Sequence, residues 1–179
     1  MGLTVHAFSN LRRIDASRDM KKRASAPRIP NRAFAPVIDP DFAHYAPELE
    51  PGKPYDYDEH HRFEAGSYDY IKTFKSELCA LAIARNAPDY GAESDQDSDK
   101  LDAYFHHSFH SPHAPFSQLI HFSESEGTLS TSVVKKLERD FKEHAQLAHE
   151  HPCMVFIYHF LKWQVALEVG ADLGCISFQ

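Results

Sequence analysis

Two stretches of this 179-residue chain carry side chains whose types and spacing could do chemistry. The first is rich in histidine, and in it His106 and His110 stand four residues apart. On a helix that spacing places both imidazoles on one face, within reach of a common metal ion. Together with His113 they are the predicted metal ligands, and a divalent metal ion is the cofactor that such a site would bind. A metal held there would lower the pKa of a bound water for hydrolysis.

The second stretch is a polar elbow between an apolar run and the start of an amphipathic helix. We define the elbow by five residues, His121, Ser123, Glu124, Glu126 and Gly127. Its imidazole and two carboxylates are predicted to form a recognition surface on a rigid bend. The simpler interpretation is a helix-starting turn, in which the acids lie near the positive helix N-terminus and Ser130 or Thr131 caps it. Since no GxSxG motif occurs, the sequence gives little support to nucleophilic catalysis.

Three amphipathic stretches predict the long helices that would position these residues. They cover residues 67–86, 130–149 and 153–169. The third stretch is apolar on nearly all sides, which predicts a central core helix. Phe156, Phe160 and Trp163 add apolar area outside its main stripe. That stripe repeats at helical spacing and consists of Met154, Ile157, Tyr158, Leu161, Val165 and Val169.

Strands are predicted only near the two ends of the chain. Residues 3–8 alternate with period two and residues 175–178 are apolar, so these strands either pair with each other or cap the helices. Residues 15–62 contain seven prolines, which forbid long helices and predict a long wrapping segment. The predicted fold class is therefore α+β and mainly helical, with three long helices around a central C-terminal helix. The N-terminal strand, basic arm and Pro-rich segment occupy residues 1–62, and a helical core domain occupies residues 63–179.

The charge distribution bears on the partners. A net charge of −7 predicts that the body repels nucleic acid and anionic membranes. Residues 12–32 nevertheless carry eight lysines and arginines, so this arm either grips phosphate backbones or docks on the protein's own acidic surface. No apolar run is long enough to span a bilayer and no signal-peptide pattern is present, which predicts a cytoplasmic protein without membrane contact.

Four pieces of the sequence resemble an uncharacterised family of phage and bacterial proteins. They are Gly66–Tyr68, Leu119–Gly127, Lys136–Phe141 and Trp163–Gly170, together with the closing Phe178. That family has a similar Phe-Ser-acid-x-Glu-Gly elbow followed by a helix and a late tryptophan helix. The resemblance covers about residues 63–179. Glu124 and Ser125 stand where the family would have an Asp-Cys pair. It implies no activity, but it favours an accessory protein linked to a phage or mobile element.

The leading functional prediction is a non-enzymatic binding protein with a protein partner and the elbow as its recognition surface. A metal-dependent enzyme that uses the histidines between His106 and His121 is the first alternative. Nucleic-acid binding through the basic arm is the second. The sequence favours a non-enzymatic role without deciding among the three.

Overall fold

The computed structural model describes residues 2–14, 33–85, 97–122 and 126–179. Its strands are β1 (Gly2–Phe8), β2 (Arg12–Arg13), β3 (Ala33–Phe34), β4 (Tyr55–Asp56), β5 (His60–Ser67), β6 (Gly127–Ser130) and β7 (Cys175–Phe178). Its helices are α1 (Tyr68–Arg85), α2 (Asp97–His110), α3 (Ser117–His121), α4 (Thr131–His149) and α5 (Met154–Ala171), with a 3-10 helix at Pro40–Tyr45.

The main sheet is antiparallel throughout and has the strand order β5-β1-β7-β6. The predicted terminal strands pair with each other, and β1 lies between β5 and β7. The alternation in β1 sends Leu3, Val5 and Ala7 into the core. Val5 stands opposite Phe63 on β5 and Phe178 on β7. The apolar side chains of neighbouring strands therefore share one face of the sheet.

The predicted architecture is wrong in its strands and in its central helix. The described chain contains two antiparallel sheets, whereas the sequence predicted only short strands near the termini. The mainly helical content and the three long helices roughly fit. The predicted boundary between residues 62 and 63 falls inside β5. β5 was missed because its polar residues hide the alternation that places Phe63 and Ala65 in the core.

Helix α5 packs with one face only, so it is not the central core helix that its nearly all-round apolar sequence predicted. Its buried side chains include Phe156, Phe160, Trp163, Ala166 and Leu167. On its other face Met154 is 73% exposed, and Tyr158 is 56% exposed. The stripe with the larger aromatic residues is buried because it removes more apolar area from water. Both faces of α5 are apolar, so helical spacing alone could not decide between them.

The centre of the core is Trp163, which joins the sheet to α1. Its ring centroid lies 5.3 Å from that of Phe63, 5.8 Å from that of Phe178 and 6.4 Å from that of Phe74. The indole is 2% exposed. The buried stripe of α1 agrees with the prediction, since Ile71, Phe74, Leu78, Leu81 and Ala82 are all buried.

The described part of the Pro-rich segment covers the other face of the main sheet. It contributes β3 and β4 to a small sheet of order β2-β4-β3. The ring of Phe34 stacks on Phe8 at 4.3 Å between centroids. The hydroxyl of Thr128 on β6 donates a 2.8 Å hydrogen bond to the carbonyl of Val37. These contacts bury the back of the sheet and leave the helices on its front.

Candidate functional site

A cleft of about 650 Å³ lies between α1, α2 and α3. Its walls are mainly apolar and include Leu101, Phe105, Phe109, Ile120 and Phe122. Pockets of this size and composition are typical of small-ligand sites, in which a few polar groups set the orientation of the ligand. The cleft is therefore the candidate functional site.

Tyr104 fixes the position of α2 beside α3. Its side chain is fully buried, and its hydroxyl donates a 2.6 Å hydrogen bond to the carbonyl of Pro115. Leu101, Phe105 and Phe109 follow one another at helical spacing on α2, so they form a single apolar wall. Phe109 is 67% exposed at the edge of this wall. An aromatic side chain that is left so open is available to a ligand.

His121, at the end of α3, is the elbow residue that reaches the cleft. Its imidazole lies between two rings, with centroids 4.5 Å from Phe105 and 5.3 Å from Phe109. Its Nε2 is 2.8 Å from Oγ of Ser108. Burial lowers the pKa of His121 and Lys75 lowers it further, against a hydrogen bond to the backbone of Phe105 that raises it. The imidazole is therefore neutral near pH 7 and serves to join α3 to α2.

Helix α1 supplies the charged wall of the cleft. Lys72, Lys75 and Ser76 lie at i, i+3 and i+4 and so share one face of the helix. The ammonium of Lys75 donates a 2.8 Å hydrogen bond to the carbonyl of Phe122, which holds α1 against the end of α3. Asp102 on α2 is the carboxylate among the lining residues. Among the lining residues that the structure describes, two ammonium groups against one carboxylate make the cleft favourable for an anion.

The nucleophile candidates of the cleft are not placed for covalent catalysis. Ser108 is 2% exposed, and its hydroxyl donates to the carbonyl of Phe105 at 2.9 Å. Its pairing with His121 is therefore internal and does not present the oxygen to a ligand. Burial raises the pKa of the Cys79 thiol to about 12, so the thiol is protonated at neutral pH. The arrangement suits binding better than acyl or group transfer.

Of the remaining elbow residues, the two that the structure describes, Glu126 and Gly127, do not line the cleft with His121. Glu126 is exposed, whereas Ser123 and Glu124 lie outside the described residues. Gly127 is buried and has a φ of 147°, and a Cβ added to it would lie 2.7 Å from Cζ of Phe122. Its role is to let the chain pass the Phe122 ring. The elbow leads into strand β6 rather than directly into a helix, so the interpretation of the elbow as a helix-starting turn was wrong.

The predicted cap of α4 is also absent. Ser130 precedes the helix in an extended conformation, but its side chain makes no capping hydrogen bond. Its hydroxyl donates instead to Glu48. The hydroxyl of Thr131 donates a 2.6 Å hydrogen bond to the carbonyl of Gly174. Both hydroxyls therefore hold the start of α4 to other segments, which no local sequence pattern would reveal.

The predicted metal ligands lie exposed on the surface. His106, His110 and His113 are exposed, and none of them lines the cleft. Across the four described ranges, no group of three or more His, Cys, Asp or Glu residues lies close enough to hold a metal ion. The geometry therefore gives no support to a metal centre built on these three histidines.

The described part of the basic arm is paired with acidic residues of the same chain. Arg12 on β2 donates to Asp58 and to Asp56, the latter at 3.4 Å. Arg13 donates to Glu50. These pairs agree with the interpretation that the arm docks on the protein's own acidic surface. Nucleic-acid binding through residues 15–32 stays a prediction, because they lie outside the described residues.

A buried ion pair that the sequence did not single out holds the turn before α3. Nζ of Lys136 is 2.7 Å from Oδ2 of Asp140, and each side chain is only 13% exposed. The same carboxylate accepts a 2.8 Å hydrogen bond from the backbone N–H of Phe116. Phe116 has a φ of 58°, which L side chains rarely adopt. The pair thus keeps in place the turn that leads to Ile120 and His121.

The lowered pKa values of several histidines predict how the stability of the protein depends on pH. Burial lowers the pKa of His144, His121, His159 and His6 below 6.5. At pH values between 6.5 and the lower pKa values of the folded state, the histidines of the unfolded chain bind more protons than those of the folded chain. Stability is therefore expected to fall as the pH is lowered through this range. Urea unfolding at pH 7.5 and at about pH 5 measures the effect.

His144 is the best position at which to test this dependence, because it is 1% exposed. Substitution His144→Gln should reduce the loss of stability between the two pH values. The exposed His110→Gln is the matched control and should leave the loss unchanged. Equal losses in wild type and His144→Gln would contradict the assignment.

No family model, curated protein or solved structure matches this chain. The resemblance to phage and bacterial proteins therefore stays a prediction from the sequence. Among the described helices, none is both long and apolar enough to cross a membrane. The geometry of the cleft is accordingly the basis for a functional conclusion.

Proposed function

We propose that this protein is a non-enzymatic binding protein whose cleft between α1, α2 and α3 takes a small apolar ligand that carries an anionic group. The observation that supports this most directly is the pairing of an aromatic wall with a lysine wall. Phe105 and Phe109 would contact the apolar body of the ligand, and Lys72 would face its anion. The proposal keeps the predicted non-enzymatic role but moves the site from the elbow to the cleft.

Within this proposal His121 has a structural part. Its imidazole packs against the rings of Phe105 and Phe109 and forms a hydrogen bond with the hydroxyl of Ser108. Since the imidazole is neutral near pH 7, it adds no charge that would compete with the lysines. Ligand binding should therefore change little between pH 7 and pH 8, because the lowered pKa of His121 keeps its imidazole neutral across this range.

Fluorescence titration with two probes tests the proposal. Anilinonaphthalene sulfonate carries an anion on an aromatic body, and phenylnaphthylamine is the same body without the anion. Substitution Lys72→Ala is expected to weaken binding of the sulfonate by about 2–5-fold, the worth of one exposed charge pair. It should leave binding of the neutral probe unchanged.

The aromatic wall is tested by Phe109→Asp, which should weaken both probes about tenfold or more. The matched control is Val165→Asp, because Val165 is an apolar residue on α5 that is likewise exposed, at 45%. Binding that survives Phe109→Asp and is lost in Val165→Asp would overturn the proposal. Loss of the neutral probe in Lys72→Ala would overturn the role of the anion.

A further inference from the structure

The outward face of α5 is a stripe of exposed apolar side chains. It consists of Met154, Val155, Tyr158, Leu161 and Val165, which are 73%, 53%, 56%, 43% and 45% exposed. The opposite face of the same helix is filled by the core around Trp163. A helix that is apolar on its solvent side loses free energy by exposing that side, so the stripe is suited to a partner.

The spacing of the stripe matches a helix-to-helix seam. Met154, Tyr158, Leu161 and Val165 are separated by four, three and four residues. At about 100° per residue they fall within a sector of about 60°, and they extend about 17 Å along the axis. Alternating separations of three and four residues are the pattern with which two helices interlock lengthwise.

The formal charges on α5 lie on opposite edges of this stripe. Lys162 stands about 60° to one side of its centre, and Glu168 stands about 60° to the other. The ammonium of Lys162 lies 4.3 Å from the centroid of the Tyr158 ring, along its own edge. Glu168 lies near Lys142 of α4, whose pKa is raised chiefly by its hydrogen bond with Glu138 and further by the charge of Glu168. Among the residues of α5 itself, each edge of the stripe therefore carries one sign of charge.

Two-fold symmetry turns this arrangement into a self-complementary surface. If two copies meet with their α5 helices parallel, Lys162 of one copy lies on the same side as Glu168 of the other. The two residues are then offset by about 9 Å along the helices, a gap that two long side chains can bridge. An antiparallel pair would instead place lysine beside lysine and glutamate beside glutamate. The charges thus favour a second copy in the parallel orientation.

We propose that the outward face of α5 is a self-association surface, on which two copies of this chain pack their Met154–Val165 stripes in parallel about a two-fold axis. A protein partner was the leading prediction from the sequence, and the proposed partner is the protein itself. The seam is short compared with the interfaces of stable dimers, so the dimer should dissociate on dilution. This surface is separate from the ligand cleft, and the two proposals fail independently.

Sedimentation equilibrium from low to high micromolar concentration tests the proposal. The wild-type protein should pass from monomer to dimer, and Val165→Asp should remain a monomer throughout. Phe109→Asp is the matched control, since it places the same charge on an exposed apolar residue of α2, and it should dimerise like wild type. A wild-type protein that stays monomeric, or a Val165→Asp variant that dimerises normally, would overturn the proposal.

Charge exchange tests the parallel orientation. Lys162→Glu and Glu168→Lys should each weaken the dimer about 2–5-fold, because each sets like charges against each other. The double variant should regain most of the wild-type affinity, which a merely structural effect of either substitution would not produce. Single variants that leave the affinity unchanged would reject the parallel pairing.

An exposed cysteine gives an independent measure of the same geometry. Cys153 directly precedes α5 and is exposed, whereas Cys79 and Cys175 are buried. In the parallel pair both Cys153 thiols lie at the same end of the seam, each about 110° from the centre of its own stripe. A bismaleimide with a long flexible spacer should therefore join them into a covalent dimer, whereas in an antiparallel pair they would lie at opposite ends. The reaction should be absent in Cys153→Ser and strongly reduced in Val165→Asp. Failure of wild type to cross-link at concentrations where it is dimeric would contradict the orientation.

Discussion

Substitution Asp140→Ala is expected to lower the free energy of unfolding by about 3–5 kcal/mol, because it leaves the buried ammonium of Lys136 without its carboxylate. It also removes the acceptor for the backbone N–H of Phe116. For a chain of this length the loss corresponds to a fall in Tm of roughly 10 °C. Urea unfolding followed by circular dichroism measures the change.

The neighbouring pair on α4 provides the control. Lys142 and Glu138 also stand four residues apart and meet at 2.6 Å, but the lysine side chain is 57% exposed. Glu138→Ala should therefore have a much smaller effect. The double variant Lys136→Met, Asp140→Leu should recover part of the lost stability, since it removes both charges from the interior but still leaves the N–H of Phe116 without its acceptor. A loss in Asp140→Ala no larger than in Glu138→Ala would refute the importance of the buried pair.

Substitution Gly174→Ala is expected to be at least as damaging. A Cβ at this position would lie 1.8 Å from the carbonyl oxygen of Phe8 and 3.0 Å from that of Gly170. Both obstacles are backbone atoms, so β1 itself would have to move away from β7. We expect the free energy of unfolding to fall by more than about 4 kcal/mol, a loss that is typical of a severe steric clash. Thermal unfolding, or the yield of folded protein, measures it.

Gly52 separates this clash from a purely conformational effect. Its φ is +68°, but a Cβ there would meet no atom within 4 Å. Gly52→Ala should therefore cost only about 1–2 kcal/mol, the strain of a left-handed L residue. If Gly174→Ala is no less stable than Gly52→Ala, the close approach of Phe8 to Gly174 is not a constraint on the fold.

The long helices could be predicted from the sequence because their core positions repeat at a clear period. In α1 the predicted stripe is the buried stripe, since the other positions are mainly polar. In α5 both faces are apolar, and the sequence does not state which one the sheet will cover. The folded chain buries the face with the larger side chains, Phe160 and Trp163 among them.

The strands were harder to predict because their neighbours in the sheet are remote in sequence. All four residues of β6 are buried, so no alternation marks it as a strand.

Only part of the candidate site was predicted from the sequence, because its contacts also depend on how separate segments pack together. His121 was found from its place in the elbow, but its contacts with Ser108, Phe105 and Phe109 depend on how α2 packs against α3. The exposed aromatic pair at i and i+4 on α2 was the signal that would have identified the wall of the cleft.

The place of β1 in the middle of the sheet has a consequence for the growing chain. During translation β1 and β5 emerge before β7, and β5 can pair with one edge of β1. The other edge has to wait for β7, which follows α1 to α5 in the chain. Until then an apolar strand offers unpaired N–H and C=O groups to any neighbouring nascent chain. Maturation should therefore be slow, and a chaperone that shields this edge should raise the yield.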